Sequence, residues 1–114
     1  MEHKERDDQI RQKLLEEIKD IEAFSADRSA AELSSDRMYQ KAVVMSLINI
    51  GELSKSLSEE YLNDMPQIPW KSIRGFRNIA AHQYGTIDFD DVQKTIREDL
   101  PFLKSILKEQ KPEK

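Results

Sequence analysis

The apolar residues of this chain recur mostly at spacings of three and four, which is the signature of helices with one buried face. Ile10, Leu14, Ile18, Ile21 and Phe24 share a face with Lys, Glu and Asp between them, predicting a helix from about Arg6 to Ala26. Asp7 and Asp8 suit the positive end of its dipole. Ser25 to Ser35 is polar and reads as loop, with one helical turn at Ala30 to Leu33. A second long helix is expected from near Asp36, capped by Ser34 or Ser35. Ala42, Val43, Leu47, Ile50, Leu53 and Leu57 form its apolar stripe, and Met38, Met45 and Ile48 widen it. A stripe this wide points to burial on two sides, in a bundle or at a dimer interface. Gly51 lies inside it, where the close approach of another helix would account for it.

Glu59 to Asn63 suits a short helical turn. Pro66 and Pro69, between Met65 and Trp70, then break regular structure, because each lacks an N–H and restrains its predecessor. The spacing predicts a third helix over Trp70 to Ala81, with Trp70, Ile73, Phe76 and Ala80 on one face, and a loop over Gln83 to Thr86. Asp88 caps a last helix from about Phe89 to Lys108, with Val92, Ile96, Leu100, Leu103 and Leu107 inward. Pro101 must kink or interrupt it. A frayed tail is expected over Gln110 to Lys114.

The expectation is an all-α, up-and-down bundle of four to five helices. Nothing divides the 114 residues, so residues 1–114 read as one domain. Apolar residues are 38% and charged residues 35%, which is lean for a compact monomer and favours burial shared with a second copy in a two-fold dimer. The absence of Cys removes disulfides, thiolate metal sites and Cys nucleophiles, and fits a reducing cytoplasm. No apolar run reaches the ~20 residues of a membrane span, and the first residues lack a signal peptide's apolar core. A soluble, cytoplasmic protein with no membrane partner is expected.

Charge adds a local feature. The net charge of −4 argues against broad, non-specific nucleic-acid binding. Met65 to Ile87, however, contains no Asp or Glu but has Lys71, Arg74 and Arg77, so +3 sits here and −7 on the rest. Such a patch suits an anionic ligand held at one place, with Lys71 and Arg74 as candidate substrate-binding residues.

Within it lies Arg77-x4-His82-x-Tyr84. Imidazole can move protons near neutral pH, and a guanidinium is shaped to hold phosphate oxygens. Five residues of unbroken helix leave two side chains about 140° apart, so Arg77 and His82 converge only if the helix ends between them. Gln83-Tyr84-Gly85 supplies that ending. The reaction that fits is attack of an RNA 2′-hydroxyl on its neighbouring phosphate, which needs a base, an acid and a cation but no metal. No His/Asp/Glu cluster has metal-ligand spacing, and no cofactor is implied. A single His82 does not easily serve as both acid and base, so a site shared across a dimer is favoured. The blander readings are a histidine at a helix C-terminus, an Arg77 paired with Glu52, and a Tyr84 covering the core edge.

The surrounding residues resemble the HEPN-domain family, in particular the HepT-like toxins of HepT/MntA toxin–antitoxin pairs. The matching features are Ile21-Glu-Ala-Phe24, Ala42-Val-Val, Ile50-Gly-Glu52 and Pro66-x-Ile-Pro-Trp70. They continue through Gly75-Phe-Arg77-Asn78-Ile-Ala-Ala-His82-Gln-Tyr84 to Ile87-Asp88. Gly85 and Thr86 depart from the bulkier residue expected after the tyrosine. The resemblance implies a dimeric, metal-independent endoribonuclease acting on RNA, with tRNA a candidate. It implies that Arg77 stabilises the phosphate and His82 is the acid/base residue. Asn78 would orient substrate or histidine; apart from the resemblance, Glu52 is a candidate supporting partner for Arg77. It also implies that a partner nucleotidyltransferase antitoxin adenylylates Tyr84 and silences the toxin. The alternative is a non-catalytic helical dimer that binds a nucleotidyltransferase or a nucleotide.

Overall fold

The computed structural model describes residues 2–75 and 87–109. Helix α1 spans Glu2–Ser25, so it starts four residues earlier than its apolar stripe suggests. Ile10, Leu14, Ile18 and Ile21 are buried as expected, but Phe24 at its end is 38% exposed. The polar stretch that follows is more ordered than its composition implies. Helix α2 spans Ala30–Ser35, and Ser29 and Glu32 close a reciprocal capping box at its start. Ser34 and Ser35 therefore end α2, and Asp36 instead caps α3, Arg37–Lys55. Its Oδ1 accepts from the N–H groups of Met38 and Tyr39 at 2.9 and 3.2 Å. Its Oδ2 takes the Arg28 guanidinium at 2.8 Å, and that guanidinium also lies over the Tyr39 ring. These bonds, Arg28's first, hold the Asp36 carboxyl below the usual carboxylate range.

Helix α3 packs against α1. The two run antiparallel: Asp7 meets Ser58 just past the end of α3, and Glu17 meets Asn49 nearer the middle. The buried face of α3 includes Tyr39, Val43, Val44, Leu47, Ile50 and Gly51. Met38 and Met45 lie on the other side, 80% and 57% exposed, so the widening of the stripe reaches solvent rather than a second buried layer.

Ser58 caps the short α4, Glu59–Asp64. Helix α5, Trp70–Arg74, follows the two prolines and packs on α3. It meets the first turn of the expected third helix; the remainder, with Phe76, Ala80 and the Gln83–Thr86 loop, lies outside the described residues. Asp88 caps α6, Phe89–Lys94, as expected. One π-helical turn, Thr95–Asp99, then leads into α7, Leu100–Glu109. The Leu100 N–H donates to the Thr95 carbonyl, five residues back. This widened turn comes just before Pro101, whose ring would press on a carbonyl of a regular α-helix. The kink expected of Pro101 is thus taken up as one broad turn.

Helix α7 packs against α1, and α6 against α2. One apolar cluster joins all of these elements except α4, whose Tyr61 and Leu62 pack against its edge. The buried Arg11 closes it by donating to the Leu107 carbonyl at 3.1 Å while pairing with Asp8 at 2.8 Å. No helix among the described residues is long and apolar enough to cross a membrane.

Candidate functional site

Arg77, Asn78, His82 and Tyr84 lie outside the described residues, and so does any pairing of Arg77 with Glu52. The residues that lead into and out of this cluster are described. On the entry side, Trp70 is the anchor. Its indole N–H donates to the Met65 carbonyl at 3.1 Å, and Tyr61 meets its ring edge-on at 6.2 Å between centroids. Ile68, Trp70 and Ile73 are buried in the core. The two prolines sit in successive turns, closed by the Ile68 N–H on the Met65 carbonyl and the Trp70 N–H on the Ile68 carbonyl, so Ile68 and Trp70 both plug into the core as α5 begins.

With Trp70 and Ile73 inward, the intervening Lys71 and Ser72 face solvent. Lys71 therefore stands exposed on the turn that leads to the cluster, as a substrate-binding role requires. Arg74 closes α5. Gly75 keeps right-handed helical angles, φ −70° and ψ −14°, and its N–H donates to the Lys71 and Ile73 carbonyls. On the exit side, Asp88 accepts from the N–H groups of Asp90 and Asp91, with Ile87 half-buried beside the core. Trp70 and Asp88 thus bracket the basic segment with two fixed points. The indole bond was not evident from spacing, which marks Trp70 only as core; the proline on each side of Gln67-Ile68 was its one visible sign.

Glu52 is exposed on α3 and lines a groove of about 470 Å³ between α1 and α3, with Lys13, Glu16, Glu17, Asn49, Leu53 and Ser56. Three carboxylates face one lysine there. That balance repels phosphate, so Glu52 is suited to holding a cationic side chain rather than touching an RNA backbone.

Comparison with known proteins covers most of the chain. Residues 14–110 match the family model described as "Ribonuclease HepT-like". Among similar proteins is "Putative RNase MJ0127" of Methanocaldococcus jannaschii, 36% identical over 100 residues, covering 84% of this chain and 83% of the relative. "Putative RNase MJ1380" of the same organism is 34% identical over 91 residues, covering 80% and 84%. "Probable ribonuclease HepT" of Thermococcus cleftensis is 33% identical over 91 residues, covering 80% and 83%. No solved structure matches.

Proposed function

The chain belongs to the HepT-like ribonuclease family, and from that premise we propose how this ribonuclease cuts RNA and how it is restrained. It is a metal-independent endoribonuclease toxin of a toxin–antitoxin pair. One His82 takes the proton from a ribose 2′-hydroxyl as the oxygen attacks the adjacent phosphorus. The 2′-O–P bond forms, the P–O5′ bond breaks, and a second His82 protonates the leaving 5′-oxygen. Arg77 neutralises the charge that develops on the phosphorane oxygens. The products are a 2′,3′-cyclic phosphate and a 5′-hydroxyl. Base and acid come from two copies of the chain in a two-fold dimer. Asn78 orients the histidine or the substrate, Glu52 holds the Arg77 guanidinium, and Lys71 and Arg74 bind the flanking phosphates.

The observation that carries this reading is the family match over residues 14–110, which spans Arg77 to Tyr84 entirely. The acid-free run from Met65 to Ile87 supports it by giving an acidic protein one place for a polyanion. Restraint follows from Tyr84. A partner nucleotidyltransferase transfers AMP from ATP to the phenolic oxygen with release of pyrophosphate, and the bulky anion blocks the phosphate site and repels RNA.

The test is direct. Purified protein incubated with RNA in EDTA should leave 2′,3′-cyclic ends. His82→Ala should lower the rate by about 10²–10⁴-fold, as expected for loss of a general acid or base. Mixed dimers of Arg77→Ala and His82→Ala subunits should stay inactive, because they hold one His82 where base and acid need two, and wild type mixed with His82→Ala chains should lose activity as the square of the wild-type fraction. Intact RNA after incubation with folded dimer would point to a binding module instead. For Tyr84, incubation with the partner enzyme and ATP should add the mass of AMP to wild type and not to Tyr84→Phe.

A further inference from the structure

A cavity of about 460 Å³ opens between α4 and the start of α5, lined by Glu59, Leu62, Asn63 and Trp70. Glu59, Leu62 and Asn63 fall within about 100° of arc, because residues three and four apart share a helix face. The apolar lining comes from Leu62, which is half-buried, and from Trp70, which is buried. The polar lining comes from Glu59 and Asn63, which are exposed, and neither side chain has a partner among the described residues. Trp70 is already held in place by the Met65 carbonyl and by the edge-on contact with Tyr61. Charge changes sign across the cavity, from Glu59, Glu60 and Asp64 on α4 to the exposed Lys71 that follows Trp70. A phosphate is drawn to the lysine and repelled by the carboxylates. What a carboxylate can take from an RNA strand is a base edge that carries N–H donors.

We propose that this cavity is a guanine pocket, which holds one unpaired guanine of the RNA while Lys71 holds a phosphate of the same strand. The two carboxylate oxygens of Glu59 accept from N1–H and from the 2-amino group of the base. The Asn63 amide donates to the neighbouring O6. Leu62 and the accessible rim of Trp70 lie against the base ring.

The edge of the base selects guanine. Among the four bases only guanine presents two adjacent N–H donors there, matching the two oxygens of one carboxylate. Adenine and cytosine each set a ring-nitrogen acceptor beside the amino group, and uracil flanks its one N–H with carbonyls. In each of those cases the second carboxylate oxygen meets a lone pair and is repelled. The pocket deepens the ribonuclease reading above and rests on its use of Lys71 as a phosphate ligand.

Trp70 is the chain's single tryptophan, so its fluorescence reports on this cavity. Full-length His82→Ala protein, chosen to leave RNA whole, is titrated with a short oligouridine that holds one guanosine. The comparison strand holds inosine instead, which lacks the 2-amino group. The guanosine strand should shift the Trp70 emission and bind about tenfold or more tighter than its inosine twin. Glu59→Gln, at an exposed position, should bring the two affinities together, because an amide offers one acceptor oxygen where the carboxylate offers two. Asp64→Asn, on the same helix but outside the cavity, should keep the preference. Wild type should cut the guanosine strand at one phosphate, at a fixed distance from the base. Equal affinities for the two strands, binding that leaves Trp70 emission unchanged, or a preference that survives Glu59→Gln would overturn the pocket. A guanosine preference in binding, with a wild type that cuts neither strand, would remove the cleavage mechanism and uphold the pocket. Cleavage of both strands at equal rates and at scattered phosphates would remove the pocket and leave that mechanism standing.

Discussion

Single side chains do much of the joining in this small helical protein. Asp7 is 5% exposed and accepts from the Ser58 N–H at 2.9 Å and its hydroxyl at 2.6 Å, so the start of α1 holds the cap of α4. Asp7→Ala takes the acceptor from the half-buried Ser58 N–H and hydroxyl and should cost about 1–3 kcal/mol in urea unfolding. Trp70 plays the same part for α5. Trp70→Phe keeps most of the ring and loses the bond to Met65, so a loss of about 1 kcal/mol is expected, against about 3–5 kcal/mol for Trp70→Ala. Asp36 gives a pH signature. Its carboxyl is held below the usual range by Arg28 and by the backbone of α3, so its folded pKa lies under its unfolded one. Its stabilisation is then fully present above the unfolded pKa of about 4 and is lost as pH falls through the folded value. Asp36→Asn keeps the cap but not the charge, so its melting temperature should fall below wild type at pH 7, and the gap should close towards pH 3.

At the scale of elements, the last helical stretch shows how a local rule and a global demand are reconciled. Val92, Leu100, Leu103 and Leu107 must all face inward across a proline. The π turn over Thr95–Asp99 meets that demand by widening one turn without ending the helix. Pro101→Ala restores a donor and removes the ring, and should raise the melting temperature by the equivalent of about 1 kcal/mol. Leu103, 1% exposed, is the contrast: Leu103→Ala should cost about 2–5 kcal/mol. The element pattern was largely readable beforehand. The α1, α3 and α6–α7 stripes, the break at Pro66 and Pro69 and the Asp88 cap all follow from spacing and capping chemistry. The extent of α2 was not, because Ala30–Ser35 has only Leu33 to bury and owes its order to the Ser29–Glu32 box and to packing on α3.

For the molecule as a whole, an acidic body carries one cationic segment beside a fixed anchor. Lys71 is exposed at the mouth of that segment and outside the proposed chemistry. Lys71→Ala should therefore raise KM for RNA a few-fold with kcat little changed, and should flatten the salt dependence of binding. An equal fall in kcat and kcat/KM would place Lys71 in the reacting centre instead.

The sequence by itself determined the helical class, most of the segment order, the basic run around Arg77 and His82, and the family to which the chain belongs. These are properties of local periodicity, of composition and of residue order, and they survive without coordinates. Tertiary structure alone decided what covers each face. Phe24, Met38 and Met45 have the same helical spacing as buried residues and lie in solvent, whereas Asp7 and Arg11 are polar and lie inside. Spacing shows that a helix has a side; only its neighbours determine whether that side is covered. Burial is thus a property of packing, and Asp7 and Arg11 enter the core because a distant group, Ser58 or the Leu107 carbonyl, completes their hydrogen bonds.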